Sequence, residues 1–319
     1  MLETTATLAL IRQLRQALQQ VVVGQSAVVE EVLVALLAGG HLILEGVPGT
    51  GKTLLVKMMA RFLQADFRRI QLTPDILPTD ILGTSVFDLN TRQFSLQKGP
   101  VFTEILLADE INRTPPKTQA ALLEAMEEQQ VTLDGQSLPL PSLFWVIATQ
   151  NSLEFEGTYP LPEAQLDRFL LKVQVGYPDA LAEKQMLQNA QAGFDARQIS
   201  RQPAQPIASV EDILLARQQV RGIHVEGSLL DYLLALVQRS RQHPDIRLGV
   251  SPRAAVAWLQ ASKAHAWLEG QTFVTPDNIK AVAVPLLRHR LILRPDAQLD
   301  GLSQEQVIKA LLQQVAVPR

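Results

Sequence analysis

The segment that most constrains the fold is glycine-rich and lies at residues 46–53, where the sequence is Gly-Val-Pro-Gly-Thr-Gly-Lys-Thr. An apolar segment at 41–44 precedes it, and residues with helical periodicity follow it. Glycines at this spacing allow successive backbone N–H groups to converge on phosphate oxygens at the start of a helix. The segment therefore predicts a nucleotide-binding loop, with a simple glycine-rich turn as the alternative. The residues expected to bind the nucleotide here are Gly46, Val47, Pro48, Gly49, Thr50, Gly51, Lys52, Thr53 and Leu54.

Four residues, Lys52, Thr53, Asp109 and Glu110, indicate the reaction of a bound nucleotide. Lys52 is expected to contact the β and γ phosphates, and the Thr53 hydroxyl to ligate Mg²⁺. Asp109 and Glu110 end an apolar segment at 105–108, which predicts a neighbouring strand. Asp109 would hold Mg²⁺ through its water shell, while Glu110 would orient and deprotonate an attacking water. This pattern favours hydrolysis, and the alternative is a strand that ends in solvated acidic residues.

Short apolar segments at 41–44, 69–72, 105–108 and 143–148 alternate with helical patterns. This alternation predicts an α/β fold whose parallel sheet is covered by helices on both faces. Two hairpins interrupt it, one with its turn at 90–92 and one at Asp134-Gly135, a dipeptide suited to the positive φ angles of a type I′ turn.

The strand pattern ends near Tyr177, and helical patterns fill the remainder. The segment at 202–206 is rich in proline and glutamine and is typical of a linker. We therefore expect a core at 1–176, a linker or insert at 177–208 and a helical domain at 209–319.

Composition excludes several classes of protein. The 319 residues contain no cysteine, which excludes disulfides, thiolate catalysis and cysteine-ligated zinc. A formal charge of -3 gives no whole-chain attraction to nucleic acid. No apolar segment approaches the roughly 18 residues of a membrane helix. Glu3 stands where a secretory signal would have basic residues, so we expect a cytoplasmic protein.

Besides the loop at 46–53, the sequence contains the blocks Leu72-Thr73-Pro74-Asp75 and Asp109-Glu110-Ile111-Asn112-Arg113. On these blocks it resembles the AAA+ ATPases, and specifically their MoxR family. The two blocks are specific to MoxR-like proteins, whereas the loop at 46–53 occurs in many families. Further matching segments extend over nearly the whole chain, at 23–25, 99–102, 148–151, 161–169, 249–253 and 289–290. The resemblance implies an AAA+ P-loop NTPase core, a parallel sheet sandwiched by helices with two hairpin insertions, and an all-helical C-terminal lid domain.

The resemblance also implies residue roles. Asn151 ends an apolar strand as sensor 1 does, where its amide would hold the attacking water or the γ-phosphate; a plain loop asparagine is the alternative. Gly24 and Gln25 resemble the N-terminal strip that lines the adenine, mainly through backbone contacts.

Two arginines resemble the residues that complete such sites. Arg168, placed early in a helix opened by Pro162, resembles the arginine finger that reaches a neighbouring subunit's ATP. Its alternative is an ion pair with Glu163 or Asp167. Arg253, after Ser251-Pro252, resembles sensor 2, acting on its own nucleotide or on a neighbour's; a surface arginine is the alternative.

The implied function is Mg²⁺-dependent ATP hydrolysis by a ring, expected to be hexameric, with each ATP between Lys52 of one copy and Arg168 of the next. The resemblance implies that the energy of ATP is used for chaperone-like remodelling of partner proteins, expected to be proteins with von Willebrand factor A domains. Alternatives are a chelatase-like motor subunit, a nucleic-acid-stimulated motor and a nucleotide-gated scaffold with little turnover. Basic residues Arg288, Arg290 and Arg294 are expected to face an adjacent subunit, with a groove that tracks phosphates as the alternative.

Overall fold

The computed structural model describes residues 2–89, 92–151, 158–194 and 205–318. The strands are β1 (His41–Gly46), β2 (Phe67–Gln71), β3 (Gly83–Asp88), β4 (Gln93–Lys98), β5 (Ile105–Asp109), β6 (Gln130–Leu133), β7 (Gln136–Pro139), β8 (Trp145–Gln150), β9 (Phe169–Val175), β10 (Ile246–Leu248) and β11 (Ile292–Leu293). The helices are α1 (Leu2–Val21), α2 (Ser26–Ala38), α3 (Lys52–Phe62), α4 (Pro78–Leu82), α5 (Pro116–Glu128), α6 (Glu163–Leu166), α7 (Ala180–Gln191), α8 (Val210–Arg221), α9 (Gly227–Gln242), α10 (Pro252–Leu268), α11 (Pro276–Ala281), α12 (Ala283–Leu287), α13 (Pro295–Leu299) and α14 (Gln304–Gln314).

The central sheet has five parallel strands in the order β2-β5-β8-β1-β9. Because side chains alternate along a strand, Leu42 and Leu44 face one hydrophobic cluster and Ile43 faces another. The first cluster contains buried residues of α1, α2 and α3, and the second contains those of α5. The predicted α/β core, covered on both faces, is confirmed.

The amphipathic first helix and its successor occur as expected. Ile11, Leu14 and Leu18 of α1 are fully buried, which is the apolar face that the helical spacing predicts. Helix α2 ends at Gly39, which adopts a left-handed conformation with φ of 74° and so suits a glycine.

Both predicted hairpins are present. Strands β3 and β4 pair antiparallel, although Asn90 and Thr91 of the turn lie outside the described residues. Strands β6 and β7 pair around Asp134 and Gly135, whose φ angles of 49° and 78° fit the predicted type I′ turn. A side-chain hydrogen bond from Ser85 to Asp134 joins the two hairpins.

The C-terminal part is helical, as predicted, with capped helix starts. Thr275 caps α11 by accepting from the Asn278 backbone, and Ser251 caps α10 through the backbone of Ala254. One detail of the prediction is wrong, because β10 and β11 form a short antiparallel pair within this part. Segments of three and two residues are too short to give a strand pattern in the sequence.

The predicted division at residues 176 and 209 stays a prediction. One hydrophobic cluster extends continuously from Ile11 to Leu311, so packing alone does not separate the parts. Helix α7 lies within the segment assigned as a linker or insert, and residues 195–204, which include most of the proline-rich stretch, lie outside the described residues. No helix among the described residues is long and apolar enough to cross a membrane.

Candidate active site

A cavity of about 620 Å³ lies at the carboxyl ends of β1, β5 and β8. Strand β8 lies between β1 and β5, so the acidic strand is one strand further from the glycine-rich loop than the sequence suggested. The cavity collects most of the predicted site residues, namely Gln25, Pro48, Gly49, Thr50, Gly51, Lys52, Thr53, Leu54, Asp109, Glu110 and Asn151.

The loop between β1 and α3 is shaped by close backbone approach. A Cβ atom at Gly46 would collide with the carbonyl oxygen of Val175 on β9, so only glycine fits at the end of β1. Gly51 has φ of 86° and directly precedes α3. The N-terminal N–H groups of α3 have no partners within the helix, and they therefore suit an anion in the cavity.

Lys52 is the first residue of α3, directly after this loop. Its Nζ donates to the carbonyl oxygens of Gly46 at 2.6 Å and Val47 at 2.9 Å. Burial lowers the pKa of Lys52, an effect that the carboxylates of Asp109, Glu110 and Glu45 oppose. Val47 and Gly46 thus hold the lysine through their carbonyl groups, although neither lines the cavity.

Asp109 is held at the cavity by two donors. Arg69 on β2 contacts its Oδ2 through two nitrogens at 2.6 and 3.0 Å. The Thr149 hydroxyl on β8 donates to its Oδ1 at 2.5 Å. Thr149 also accepts from the backbone N–H of Glu110 at 2.9 Å, so one threonine fixes both acidic positions.

Glu110 adopts a left-handed backbone conformation with φ of 59°, which is uncommon for a residue other than glycine. Such conformations persist only where the surrounding structure maintains them, and they concentrate at functional sites. Its Oε2 accepts from Gln71 at 2.8 Å and from Arg113 at 3.1 Å. The carboxylate is therefore oriented by donors from two different elements.

Arg168 and Arg253 lie outside the cavity. Arg168 occupies the turn after the short helix α6, so the expectation that it lies early in that helix is wrong in detail. It pairs with Glu127 at 2.8 Å rather than with Glu163 or Asp167. Arg253, in the first turn of α10, pairs with the same carboxylate at 3.0 Å.

The predicted adenine strip is divided. Gln25 lines the cavity, and its side chain donates to the carbonyl of Gly176 at 2.8 Å. Gly24 instead packs against Pro178 and Ala182, and a Cβ atom there would lie 2.5 Å from the Ala182 Cβ atom. Close packing therefore accounts for this glycine.

Comparisons with known proteins agree with this geometry. Residues 41–171 match the model of the ATPase family associated with various cellular activities (AAA), and residues 238–311 match the AAA lid domain. A crystal structure of a protein from Cytophaga hutchinsonii superimposes with a TM-score of 0.90 at 38% identity, covering 99% of this chain and 97% of that one.

Two curated relatives match almost the full length. The YeaC protein of Bacillus subtilis is 44% identical over 94% of this chain and 92% of its own length. Chaperone MoxR1 of Mycobacterium tuberculosis is 42% identical over 94% of this chain and 80% of its own length. The chain belongs to the MoxR family of AAA ATPases. Membership of this family implies that it binds and hydrolyses ATP.

In this MoxR-family ATPase, three residues that the sequence analysis did not assign to the site hold its functional side chains. Thr149 fixes the candidate metal ligand Asp109, Gln71 fixes the candidate base Glu110, and Glu127 fixes Arg168. Thr149 lies within a segment of the family resemblance, but its side-chain partners depend on strand order, which a sequence pattern does not give. The contact of Gln71 with Glu110 likewise could not be predicted, because it depends on the pairing of β2 with β5, which sets Gln71 opposite Asp109.

The basic cluster near the C-terminus does not form a groove in this MoxR-family chain. Arg290 is buried, and Arg288 is largely buried in an ion pair with Glu305 at 3.0 Å. The expectation that these two residues face an adjacent subunit is therefore wrong. Arg294 is exposed. An arginine pattern in helices near the end of a chain does not distinguish a surface from a buried ion pair.

Proposed function

We propose that the chain hydrolyses ATP in a ring of identical copies and uses the energy to remodel partner proteins. Each ATP would bind in the cavity of one copy and be completed by Arg168 of the next. A hexamer is the expected ring.

The observation that carries this proposal is the separation between the cavity and the two arginines. Lys52 is the one lysine or arginine among the described residues that line the cavity. Phosphoryl transfer commonly needs a further arginine, which is worth about 10³ to 10⁵ in rate. Arg168 and Arg253 are partly exposed at Glu127 and would serve a phosphate brought by another copy. This arrangement favours action in trans for both.

Within the cavity, each side chain has a distinct chemical task. Backbone N–H groups of residues 49–53 and the Lys52 ammonium would hold the phosphates. Glu110 would accept a proton from the attacking water, and Asn151 would hold that water or the γ-phosphate. Gln71 and Arg113 orient the Glu110 carboxylate before substrate binds.

The residues at this position fit a magnesium ion. Thr53 and Asp109 both line the cavity and offer oxygen atoms, the donors that Mg²⁺ prefers together with water and phosphate. No group of three or more histidine or acidic side chains among the described residues forms an alternative metal site. When bound, the ion would neutralise charge that develops on the phosphates.

Similarity to chaperone MoxR1 supports a protein client. The β3–β4 hairpin supports it independently, because Phe94 is 74% and Leu89 is 82% exposed. Clustered exposed apolar side chains are typical of a protein-binding surface. We propose a client with a von Willebrand factor A domain, in line with the family resemblance.

A trapping experiment tests the proposal. The Glu110→Gln variant should bind ATP without hydrolysing it, and it should retain clients from a lysate of the source organism in ATP but not in ADP. Enrichment of von Willebrand factor A domain proteins is expected. Phe94→Ser should reduce that enrichment while ATP binding is unchanged. Recovery of subunits of a metal-chelating enzyme, or stimulation of the ATPase by DNA or RNA, would favour the chelatase or nucleic-acid alternatives.

A further inference from the structure

Two arginines from distant parts of the chain end on one carboxylate, that of Glu127. The Nε atom of Arg168 lies 2.8 Å from Oε2, and a terminal nitrogen of Arg253 lies 3.0 Å from Oε1. Glu127 is in the last turn of α5, Arg168 precedes β9, and Arg253 is in the first turn of α10. These three side chains are called the Glu127 cluster below.

A second carboxylate, that of Asp167, links the backbone segments that carry Arg168 and Arg253. This residue directly precedes Arg168, and its Oδ1 accepts from buried Arg290 at 2.6 Å. Its Oδ2 lies 3.4 Å from the hydroxyl of Ser251, which caps α10 two residues before Arg253. Asp167 therefore links the backbone segments of the two arginines, and Glu127 binds their guanidinium groups.

The Glu127 cluster keeps donors available. Arg168 uses Nε toward Glu127, so its two terminal nitrogens remain for another acceptor. Among the described residues, no further hydrogen bond or ion pair engages the guanidinium of Arg168 or of Arg253. Two arginines against one carboxylate leave a net positive charge, and paired guanidinium donors match the geometry of phosphate oxygens.

We infer that Glu127 is a positioning residue that aligns Arg168 and Arg253 as a pair for the ATP of a neighbouring copy. This inference rests on the proposed ring. Glu127 does not line the cavity of its own chain and has no contact with that chain's nucleotide site. Its effect is exerted through the two arginines.

Glu127→Ala is the informative change, and Glu128→Ala is its matched control. Glu128 is the next residue of α5, is exposed, and forms no ion pair with any described residue. Displacing a catalytic group by about 1 Å can cost 10²-fold, so we expect Glu127→Ala to lower kcat of the assembled protein about 10- to 100-fold. Binding of a fluorescent ATP analogue to the dilute chain should be unchanged. Glu128→Ala should match the wild type in both measurements.

Combined variants separate positioning from folding. In a chain that already carries Arg168→Ala and Arg253→Ala, adding Glu127→Ala should lower kcat no further, because the residues that it positions are gone. A further loss of about 10-fold in that background would overturn the inference.

Mixed rings show which copy Glu127 serves. A Lys52→Ala chain lacks its own ATP site but retains the Glu127 cluster, so mixing it with Glu127→Ala chains should restore activity above the sum of the two. Mixing Lys52→Ala with Arg168→Ala is the reference for action in trans. If the reference fails, the proposed ring fails. If the reference recovers activity and the Glu127→Ala mixture does not, the inference about Glu127 alone is overturned.

Discussion

The side-chain amide of Gln71 donates a hydrogen bond of 2.8 Å to a carboxylate oxygen of Glu110, the residue proposed as the base. Gln71 is the last residue of β2, and its register partner on β5 is Asp109. The amide therefore reaches the acidic residue that follows β5 from the neighbouring strand. Both described donors to this carboxylate, Gln71 and Arg113, contact the same oxygen, Oε2, and so fix its orientation.

Gln71→Ala should therefore lower the ATPase activity of the assembled protein, because Glu110 loses one of the two described donors that orient it. A hydrogen bond of this kind contributes about 1 kcal/mol, which corresponds to about fivefold in rate. The measurement is phosphate release at a protein concentration above that of assembly. Turnover equal to or above that of the wild type would mean that the Gln71 amide does not hold Glu110 in its reactive orientation.

Glu110→Gln should retain ATP binding and nearly abolish turnover. The amide keeps the size of the side chain, but it cannot accept the proton of the attacking water. Binding of a fluorescent ATP analogue and phosphate release should be measured on the same preparation. If turnover stays near that of the wild type, Glu110 is not the base, even though ATP binds.

Replacing Arg290 by methionine should destabilise the fold. The Arg290 side chain is 4% exposed and donates to Asp167 and to the carbonyl oxygens of Leu170 and Phe169. Removing one partner of a buried ion pair costs about 3 to 5 kcal/mol, because the remaining groups are left unsatisfied. Urea unfolding should show this loss, with exposed Arg294→Met as the control. A loss below about 1 kcal/mol would contradict the assigned role.

Glu31 should make stability depend on pH. Burial raises its pKa to about 7, an effect opposed by Arg288 and increased by Glu30 and Glu305. Between its ordinary pKa of 4.5 and about 7, the folded state keeps a proton that the unfolded state releases, so the free energy of unfolding falls as pH rises. The full penalty, about 3 kcal/mol, is present above pH 7.

Glu31→Gln removes this titration and isolates its effect from that of other groups. Buried His41, whose pKa burial lowers to about 4, acts in the opposite direction because the folded state excludes its proton. We therefore compare the variant with the wild type at each pH. The free energy of unfolding of the variant minus that of the wild type, measured in urea, should be about 2 to 3 kcal/mol larger at pH 8 than at pH 5. An equal difference at both pH values would contradict the prediction.

Local patterns were sufficient for much of the fold and for the cavity. Apolar segments predicted the strands, the Asp134-Gly135 dipeptide predicted a turn with two positive φ angles, and the glycine-rich loop lies where a strand meets a helix. Each of these features depends on a few adjacent residues, whose conformational preferences are present in the sequence itself.

Contacts between distant segments could not be predicted. Arg168 and Glu127 are 41 positions apart by number, and their ion pair depends on how α5 packs beside the turn before β9. The sequence offered the nearer carboxylates of Glu163 and Asp167 as partners for Arg168, but Asp167 is already bound to Arg290. Tertiary packing decides which carboxylate pairs with Arg168, and the spacing of residues along the sequence does not predict that packing.

The dependence of specific ATPase activity on protein concentration tests the central claim most directly, since an active site completed by a second copy hydrolyses ATP only slowly in a single chain. Specific activity of the wild type should rise steeply through the assembly range and then level off. Arg168→Ala should assemble over the same range, judged by light scattering, yet stay about 10³-fold or more below the wild-type plateau. A flat wild-type profile down to concentrations at which the chain is a monomer would contradict the claim.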